Sequence, residues 1–498
     1  MTRSAVTSTA DSLRSGGPLP QSDHGLVIRA PSRALSRTPA RLMASVQKSE
    51  RTSPREGFVS GGLVTEQSGF YKTKTNTTTM KDWNQIKHYA GFDWAKDHHD
   101  VIILDASGKI AADFRFEHTA SGWEQFREKI ADFPDVAIAI ETKHGTAIER
   151  LLEMECCIFP VHPQSAKAYR QRKVPSGNKT DRVDAWSLAD ALRMDGVSWK
   201  RLAPQEPLIK ELRLICRDEV ALIRDRTALI TQLRQSLYDY YPAALEAFDD
   251  WTMAAAWAFV IAFPTPQTLV KAGKGKWEKF LHVHKLGRPE TYKRRLEIFA
   301  RATQFAGSLP VINAKSRLAV ARAKQLQLLE TQIGEYRREI RRLFAQHPDA
   351  TLFDSLPGAG EKIAPRLLSE IGDDRALFPN AQALQCLAGT APVSFQSGQI
   401  HRVHLRRQCN KSLRNAVHLW ANLSREFCPW AATYYTALRA KGKSHACALR
   451  ALGQRWLKIV WKMWQARTPY DADLHARNQL KHGSWVLQLV NQPVAAKT

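Results

Sequence analysis

The chain has 498 residues, enough for two or three domains with separate hydrophobic cores. Lys and Arg total 73 against 48 Asp and Glu, so the formal net charge is +25 at pH 7. The seven cysteines are scattered and form no CxxC pair, which argues against a disulfide framework and a structural zinc site. The longest apolar stretch, around 253–263, is too short to span a bilayer.

A charge of this size attracts polyanions over long range, and nucleic acid is the commonest such partner. The alternative is a solvated basic surface that binds nothing. Charge alone favours nucleic acid, but it does not say which nucleic acid or what is done to it. Because no signal-peptide segment is present near the start, we expect a cytoplasmic protein.

Residues 1–84 form an N-terminal extension that is rich in Ser, Thr, Arg, Gly and Pro up to position 79. Such a composition buries too little apolar surface to order itself, so we expect disorder. Its Arg- and Ser-rich, acid-poor character imitates a transit peptide. A second interpretation, which we prefer, is translation from an early start codon, because Met80 directly precedes the first structured segment.

Residues 85–200 predict a mixed α/β domain, because three hairpin-like strands precede alternating strands and helices. The predicted strands are Tyr89–Asp93, Asp100–Asp105, Ile110–Glu117, Val136–Glu141 and Cys157–Val161. The predicted helices are Ser121–Asp132, Thr146–Glu155 and Lys179–Met194.

Residues 205–348 predict a helical coiled-coil region interrupted by an insertion at about 240–312. Apolar residues recur every seven positions before the insertion, as in Leu208, Ile215, Leu222 and Leu229, and by three and four after it. We expect two long helices packed on each other or on a partner chain. Residues 350–470 predict a basic, mainly helical C-terminal domain, and 471–498 predict a fraying polar tail.

Four acids in the α/β domain have the placement that a metal site requires. Asp93 and Glu141 close predicted strands, and Asp181 and Asp184 share one helix face. Magnesium takes hard oxygen ligands, and two metals can stabilise the attacking and leaving oxygens of phosphoryl transfer. For each acid taken alone, a surface charge or helix cap is the better interpretation, and Asp181 in particular could cap a helix. Their joint spacing leaves a metal site and these roles equally open.

The stretches GFDWAK at 91–96, ET at 141–142 and KTDRVDAWSLAD at 179–190 resemble the DEDD transposases of the insertion-sequence-110 family. The resemblance implies a RuvC-like, ribonuclease-H-like N-terminal domain whose four acids bind Mg²⁺ and act in catalysis. Those acids would be Asp93, Glu141, Asp181 and Asp184. The chain departs from the family where ETKHG replaces the usual E-x-T-G followed by an aromatic residue.

Two further segments predict contacts with nucleic acid. A glycine-rich turn with Gly358, Gly360 and Lys362 feeds a helix, and free amides there can hold a phosphate. It resembles a helix-hairpin-helix element, although an ordinary corner between helices is the alternative. Beyond it, Ser397-Gly398 precedes a basic run, namely Arg402, Arg406, Arg407, Lys411 and Arg414.

Chemistry alone favours a turn serine beside phosphate-holding arginines, because serine is a poor nucleophile without activation. The resemblance points the other way. Gly389 to Pro392, then Ser397-Gly398, then Leu413-Arg414 are similar to the family's motif around its catalytic serine. Ser397 would then form the covalent bond to DNA, with Ser394 as the competing assignment.

The resemblance implies a bacterial insertion-sequence transposase that cuts and rejoins donor and target DNA through a phosphoserine intermediate. It also implies guidance by a noncoding bridge RNA, assembly into homodimers or homotetramers, and residence at the nucleoid. The alternatives are a RuvC-like metal-dependent nuclease that resolves junctions with water, or an inactive DNA-binding protein.

Overall fold

The structure is a computed structural model that describes residues 82–484 and 486. The predicted extension at 1–84 therefore lies almost wholly outside the described residues, as does most of 485–498. Within the described range no helix is both long enough and apolar enough to cross a membrane. Cys216, Cys386, Cys409, Cys428 and Cys447 are free thiols.

The N-terminal part is built on one five-stranded sheet in the order β3-β2-β1-β4-β5. Its first three strands pair antiparallel, whereas β4 pairs parallel with both β1 and β5. The strands are β1 (His88–Trp94), β2 (His98–Leu104), β3 (Ile110–Glu117), β4 (Val136–Ile140) and β5 (Cys157–Pro160). Each predicted strand is confirmed to within two residues at either end.

Four helices accompany the sheet, and the mixed α/β prediction is confirmed. They are α1 (Ala120–Ala131), α2 (Thr146–Glu153), α3 (Pro163–Lys173) and α4 (Asp181–Asp195). The sequence did not predict α3, because Ala166 is its only buried residue and leaves no apolar period to read. Pro163 at the first helical position is the one local signal that marks its start.

Gly91 in the middle of β1 lets α4 lie directly on the sheet. A Cβ atom at Gly91 would stand 1.8 Å from the carbonyl oxygen of Ala185 and 2.6 Å from the amide nitrogen of Ala189. The α4 residues at this contact are small and fully buried, so backbone meets backbone. Any side chain on this residue of β1 would push the helix away from the sheet.

Two long helices, α5 (Pro207–Tyr240) and α10 (Leu309–Gln346), pack along each other and confirm the predicted helix pair. Between them the chain forms α6 (Pro242–Ala247), α7 (Ala254–Ala262), α8 (Pro266–Val283) and α9 (Pro289–Ala300). This insertion has its own aromatic core, with Trp257, Phe259 and Phe299 fully buried. Leu237 of α5 and Ile312 of α10 belong to the same core, so the insertion sits on one end of the helix pair.

The C-terminal part is mainly helical, but it contains a two-stranded hairpin that the sequence did not predict. Its elements are α11 (Ala350–Asp354), α12 (Gly360–Ile371), α13 (Ala381–Leu387), β6 (Val393–Ser397), β7 (Ile400–His404), α14 (Lys411–Phe427), α15 (Pro429–Ala440), α16 (His445–Ala466) and α17 (Ala472–Lys481). Trp456, Val460 and Trp464 lie in its core, as their helical spacing predicts. The expectation of a fraying tail from 471 differs from the structure, because α17 is capped by Asp471.

A buried ionic network fastens the C-terminal part to the long helices. Glu219 of α5 accepts from Nε of Arg337 at 3.0 Å and from Nη2 of Arg366 at 2.6 Å. Glu370 of α12 accepts a two-point bond from Arg217 of α5 at 2.7 and 2.8 Å. Both carboxylates are almost inaccessible to solvent, and their ion pairs with arginine offset the cost of burying the two charges.

The contact at Gly91 predicts a strong asymmetry between two glycine substitutions. Gly91→Ala should lower the free energy of unfolding by about 3 kcal/mol or more, because neither backbone can yield. Gly334→Ala is the matched control, because Gly334 lies within α10 where an added Cβ atom meets no close neighbour. This substitution should raise the free energy of unfolding by about 1 kcal/mol. Chemical denaturation of both variants tests this, and an unchanged midpoint for Gly91→Ala would contradict the packing described.

Candidate active site

Asp93 and Glu141 lie side by side at one edge of the sheet. Phe92 of β1 pairs with Ile140 of the parallel strand β4, so the residue after each reaches the same level. Neighbouring strands run about 4.8 Å apart, which places the two carboxylates at the shared carboxyl ends of β1 and β4. Both side chains are half-buried.

Asp181 and Asp184 reach the same edge from α4. Thr180 caps this helix by accepting from the amide of Val183 at 3.2 Å, so the capping role considered for Asp181 belongs to Thr180. Asp181 is the first helical residue and is exposed, whereas Asp184 lies in the first turn and is buried. The seating of α4 on Gly91 sets how close both acids come to β1.

Asp93 lies close enough to the other three predicted acids for their charges to affect its ionisation. Burial, followed by the negative charges of Asp184, Asp181 and Glu141, raises the pKa of Asp93 to about 7. Burial and Asp184 also raise the pKa of Glu141. A shift from these causes means that the metal-free site resists holding its full negative charge.

A cation from the unpredicted helix α3 compensates part of this charge. Arg170 binds the Asp184 carboxylate directly, and both side chains are largely buried. The positive charges of Arg170 and Lys179 lower the pKa of Glu141, against the larger effect of burial. Lys179 lies in the loop just before α4, so both cations come from the segment that delivers the helical acids.

A second group of ligand-type side chains extends the cluster along β2, and the sequence did not identify it. Nε2 of His98 lies 3.5 Å from Asp181 and 3.8 Å from Asp100. Arg115 of β3 binds Asp100 at 2.9 and 3.1 Å and reaches Asp181 at 3.4 Å. The alternating His98-x-Asp100 pattern on one strand face was the available signal.

The donor set suits a hard divalent cation. Four carboxylates converge from two strands and one helix, and carboxylate oxygens are the ligands that such cations take. The mutual repulsion at Asp93 is the strain that a bound dication would relieve. His98, Asp100 and Asp181 also offer three donor atoms within 4.8 Å of one another.

Ser397 stands at the tip of the β6–β7 hairpin. It pairs with Ile400 across a two-residue turn, Gly398-Gln399, and Gly398 has a φ of +55° that favours glycine. Every residue of both strands is exposed. Because side chains alternate along a strand, Ser397 and the competing Ser394 point to opposite faces of the hairpin.

The two flanking parts of the predicted serine motif contact each other. A Cβ atom at Gly389 would stand 2.6 Å from Nη2 of Arg414 and 2.8 Å from Sγ of Cys409. The glycine therefore makes room for the Arg414 guanidinium, which also donates to the carbonyl oxygen of Arg406. This contact fixes both ends of the loop that carries the hairpin.

The remaining predicted nucleic-acid residues fall into two groups. Arg402, Arg407, Lys411 and Lys362 are exposed. Gly358 instead lies against α14, where a Cβ atom would meet the amide of Ser424 at 3.0 Å, whereas Gly360 faces open space. One side of the glycine-rich turn therefore packs against α14, and the other side is open to solvent.

The serine and the acids are not in contact within one chain. Among the described residues the Ser397 hydroxyl has no hydrogen-bond partner. The segment that carries the serine contacts the α/β domain through residues that follow the hairpin. Gln408 beyond the hairpin bonds Gln164 at the start of α3. Asn410 donates to Glu370 at 2.7 Å. The structure thus brings the four acids together and leaves Ser397 on a separate projection.

Two family models match the chain in the regions that hold these features. Residues 90–242 match the DEDD model of IS110 transposases, which spans all four acids. Residues 350–436 match the model of the transposase IS116/IS110/IS902 family, which spans the glycine-rich turn, the hairpin and α14.

Full-length relatives agree with both matches. The mini-circle putative transposase for IS117 of Streptomyces coelicolor is 31% identical over 77% of this chain and 95% of its own length. The 42 kDa protein of insertion element IS900 from Mycobacterium paratuberculosis is 30% identical over 77% and 96%. A pilin gene-inverting protein of Moraxella bovis is 31% identical over 25% of this chain and 40% of its own length. With an acidic cluster, an exposed serine turn and these relatives, the chain belongs to the IS110/IS116 family of transposases.

Proposed function

We propose that this transposase cuts and rejoins DNA through a divalent cation at the acidic cluster and a covalent phosphoserine at Ser397. The observation that carries the proposal is the convergence of Asp93, Glu141, Asp181 and Asp184 at one sheet edge. Burial and mutual repulsion raise the pKa of Asp93 and of Glu141, so the protein's own cations do not fully compensate the negative charge of the cluster. The β3-β2-β1-β4-β5 order supports the RuvC-like, ribonuclease-H-like assignment of this domain.

The four acids would hold Mg²⁺, which is hard, takes carboxylate ligands and keeps room for substrate phosphate. When bound, it would stabilise the charge that develops on the phosphate oxygens. The protein's own groups do the rest of the positioning. Arg170 forms an ion pair with Asp184. Arg115 is bound to Asp100 and also contacts Asp181, so it positions the Asp181 carboxylate.

Ser397 would attack the scissile phosphate through its hydroxyl oxygen and displace the deoxyribose oxygen, leaving a phosphoserine-linked strand. Its exposure at a hairpin tip supports access to a DNA backbone. Arg402 on the same hairpin face, with Arg406, Arg407 and Lys411 nearby in sequence, would stabilise the negative charge of the phosphate. Rejoining would reverse the step with a new deoxyribose hydroxyl.

The separation of serine and acids within one chain supports an active site shared between subunits. We propose homodimers or homotetramers in which Ser397 of one subunit meets the acids of another. The helix pair α5 and α10 would supply coiled-coil contacts, since it exposes Leu214, Tyr238 and Leu328. The net charge of +25 suits donor DNA, target DNA and a guiding bridge RNA bound together, and it fits residence at the bacterial nucleoid.

One observation favours a different enzyme. Because the Ser397 hydroxyl touches none of the acids within a chain, the acidic cluster alone could direct water at a DNA junction. In that RuvC-like nuclease Ser397 would only shape the turn before Gly398. An inactive DNA-binding protein is the remaining alternative, and it would need none of the acids.

Covalent trapping distinguishes these functions. With labelled donor and target DNA, element RNA and Mg²⁺, we expect a denaturant-resistant protein–DNA adduct that Ser397→Ala abolishes. Ser394→Ala is the matched control, because it alters the opposite face of the same hairpin and should keep the adduct. Asp181→Ala should abolish both cleavage and adduct.

Cleavage without an adduct in wild type and Ser397→Ala would overturn the serine mechanism and leave a nuclease. Loss of the adduct in Ser394→Ala alone would move the nucleophile to Ser394. Unchanged behaviour of Asp181→Ala would exclude a role for the acidic cluster.

A pH-dependent stability test addresses the metal site without catalysis. The folded-state pKa of Asp93 is about 7, above its usual 3.8, so folding disfavours its ionised form. That penalty is absent below about pH 4 and complete above about pH 7. Asp93→Asn should therefore raise the free energy of unfolding in EDTA at pH 8 by about 1–3 kcal/mol, after allowance for partial exposure, and leave it unchanged at pH 4.

Mg²⁺ should stabilise the wild type at pH 8, because it binds only the folded site, and should do so far less in Asp93→Asn. Asp225→Asn on the exposed face of α5 is the matched control and should behave as wild type. Equal Mg²⁺ stabilisation of the wild type and Asp93→Asn would show that the cation binds elsewhere.

A further inference from the structure

A cavity of about 210 Å³ lies beside the serine hairpin, between α14, α16 and the loop that follows β7. A water molecule takes about 30 Å³ in the liquid, so the space suits a group much larger than one ion. Leu405 comes directly after β7 and lines the cavity, which places its mouth at the base of the hairpin.

The wall of the cavity combines apolar and cationic side chains. Leu405 is exposed and offers an accessible apolar surface, whereas Val417 and Leu449 also line the cavity but are almost fully buried. Lys411, Arg414 and Arg450 supply three cations. Within the part of the chain that the structure describes, no carboxylate lines the cavity. This combination selects an anion that also carries a flat or apolar group.

Across the residues that the structure describes, three cationic side chains of the cavity lack an ion-pair or hydrogen-bond partner for part or all of their charged groups. Among residues 82–484, Lys411 and Arg450 have no ion pair, and the buried Nε of Arg414 has no hydrogen-bond acceptor. Lys411 is exposed and Arg450 is half-buried, so only the buried Nε of Arg414 is a costly unpaired donor that points to a missing acceptor. Burial, then His445 and Arg450, lower the pKa of His418, so its neutral ring can both donate and accept.

We propose that this cavity receives one unstacked nucleotide of the DNA strand that Ser397 attacks. The base lies against Leu405 near His418, and the phosphates of the nucleotide lie against Lys411, Arg414 and Arg450. This inference rests on the proposed function in taking the strand to be the substrate DNA. It adds a nucleotide-binding pocket at the hairpin base to the cleavage chemistry at the tip.

The spacing of hairpin and cavity fits a single strand. From Val393 at the base to Ser397 at the tip the chain climbs four residues, roughly 13 Å at about 3.3 Å per residue. One strand of DNA advances about 3.4 Å per nucleotide in a duplex, so the cavity lies a few nucleotides from the attacked phosphate. A captured base there would fix the register of the strand on the serine.

Equilibrium binding in EDTA tests the pocket without any chemistry. The probes are a short oligothymidylate and a fully abasic deoxyribose-phosphate chain of the same length. Wild type should prefer the oligothymidylate by about tenfold, as expected when one base is buried against an apolar wall. Ala446→Trp fills the mouth of the cavity from an exposed position and should remove that preference.

Arg450→Ala should weaken binding of both probes by about tenfold and lower the slope of affinity against salt by about one. Lys458→Ala removes an exposed cation from the same helix away from the cavity and is the matched control. Circular dichroism and unfolding midpoints equal to wild type would show that the variants fold.

A base preference that survives in Ala446→Trp, or an Arg450→Ala no weaker than Lys458→Ala, would overturn the proposal. Tighter binding of oligouridylate than of oligothymidylate would overturn its assignment to DNA. Since no strand is cut in EDTA, loss of the covalent adduct with an intact base preference would refute the serine mechanism alone.

Discussion

The close contact between β1 and α4 at Gly91 is the constraint on which the acidic cluster depends. Because Gly91 has no side chain, the backbone of α4 lies on the sheet two residues before Asp93. Thr180 starts the helix at a fixed point, so Asp181 and Asp184 must come off its first turn beside the ends of β1 and β4. A displacement of α4 by one side chain would separate the acids on the helix from those on the strands.

That geometry has an electrostatic consequence that the surrounding residues only partly offset. Burial of Asp93, together with the negative charges of the three other carboxylates, raises its pKa to about 7. Arg170 and Arg115 compensate the helical acids, whereas Asp93 and Glu141 have no direct cationic contact among the described residues. The uncompensated charge is therefore concentrated at the strand ends. A dication and the phosphate it carries would meet the site at that point.

The sequence predicted the strands that lead to Asp93 and Glu141 closely and did not predict the hairpin that carries Ser397, for physical reasons. The strands of the sheet have strong apolar runs, and β4 is buried at every position, so their ends could be placed to within two residues. The hairpin has no buried face, the apolar alternation of β6 is limited to Val393 and Phe395, and β7 shows none, so the pattern was too short to predict a strand pair. Arg170 and the His98–Asp100 pair depend on contacts between elements distant in sequence, which one sequence does not reveal.

The hairpin is held at its base and free at its tip, and this bears on the proposal that Ser397 of one subunit meets the acids of another. A two-stranded hairpin is marginal in water by itself, so its order must come from its anchors. Those anchors are Arg414 against Gly389, and Asn410 on Glu370, which in turn is bound by Arg217 of α5. The serine is thus oriented by the long helices, and the acids are oriented by the sheet. An arrangement of long helices that pairs two chains would set the distance between one chain's serine and another's acids, with no contact needed within either chain.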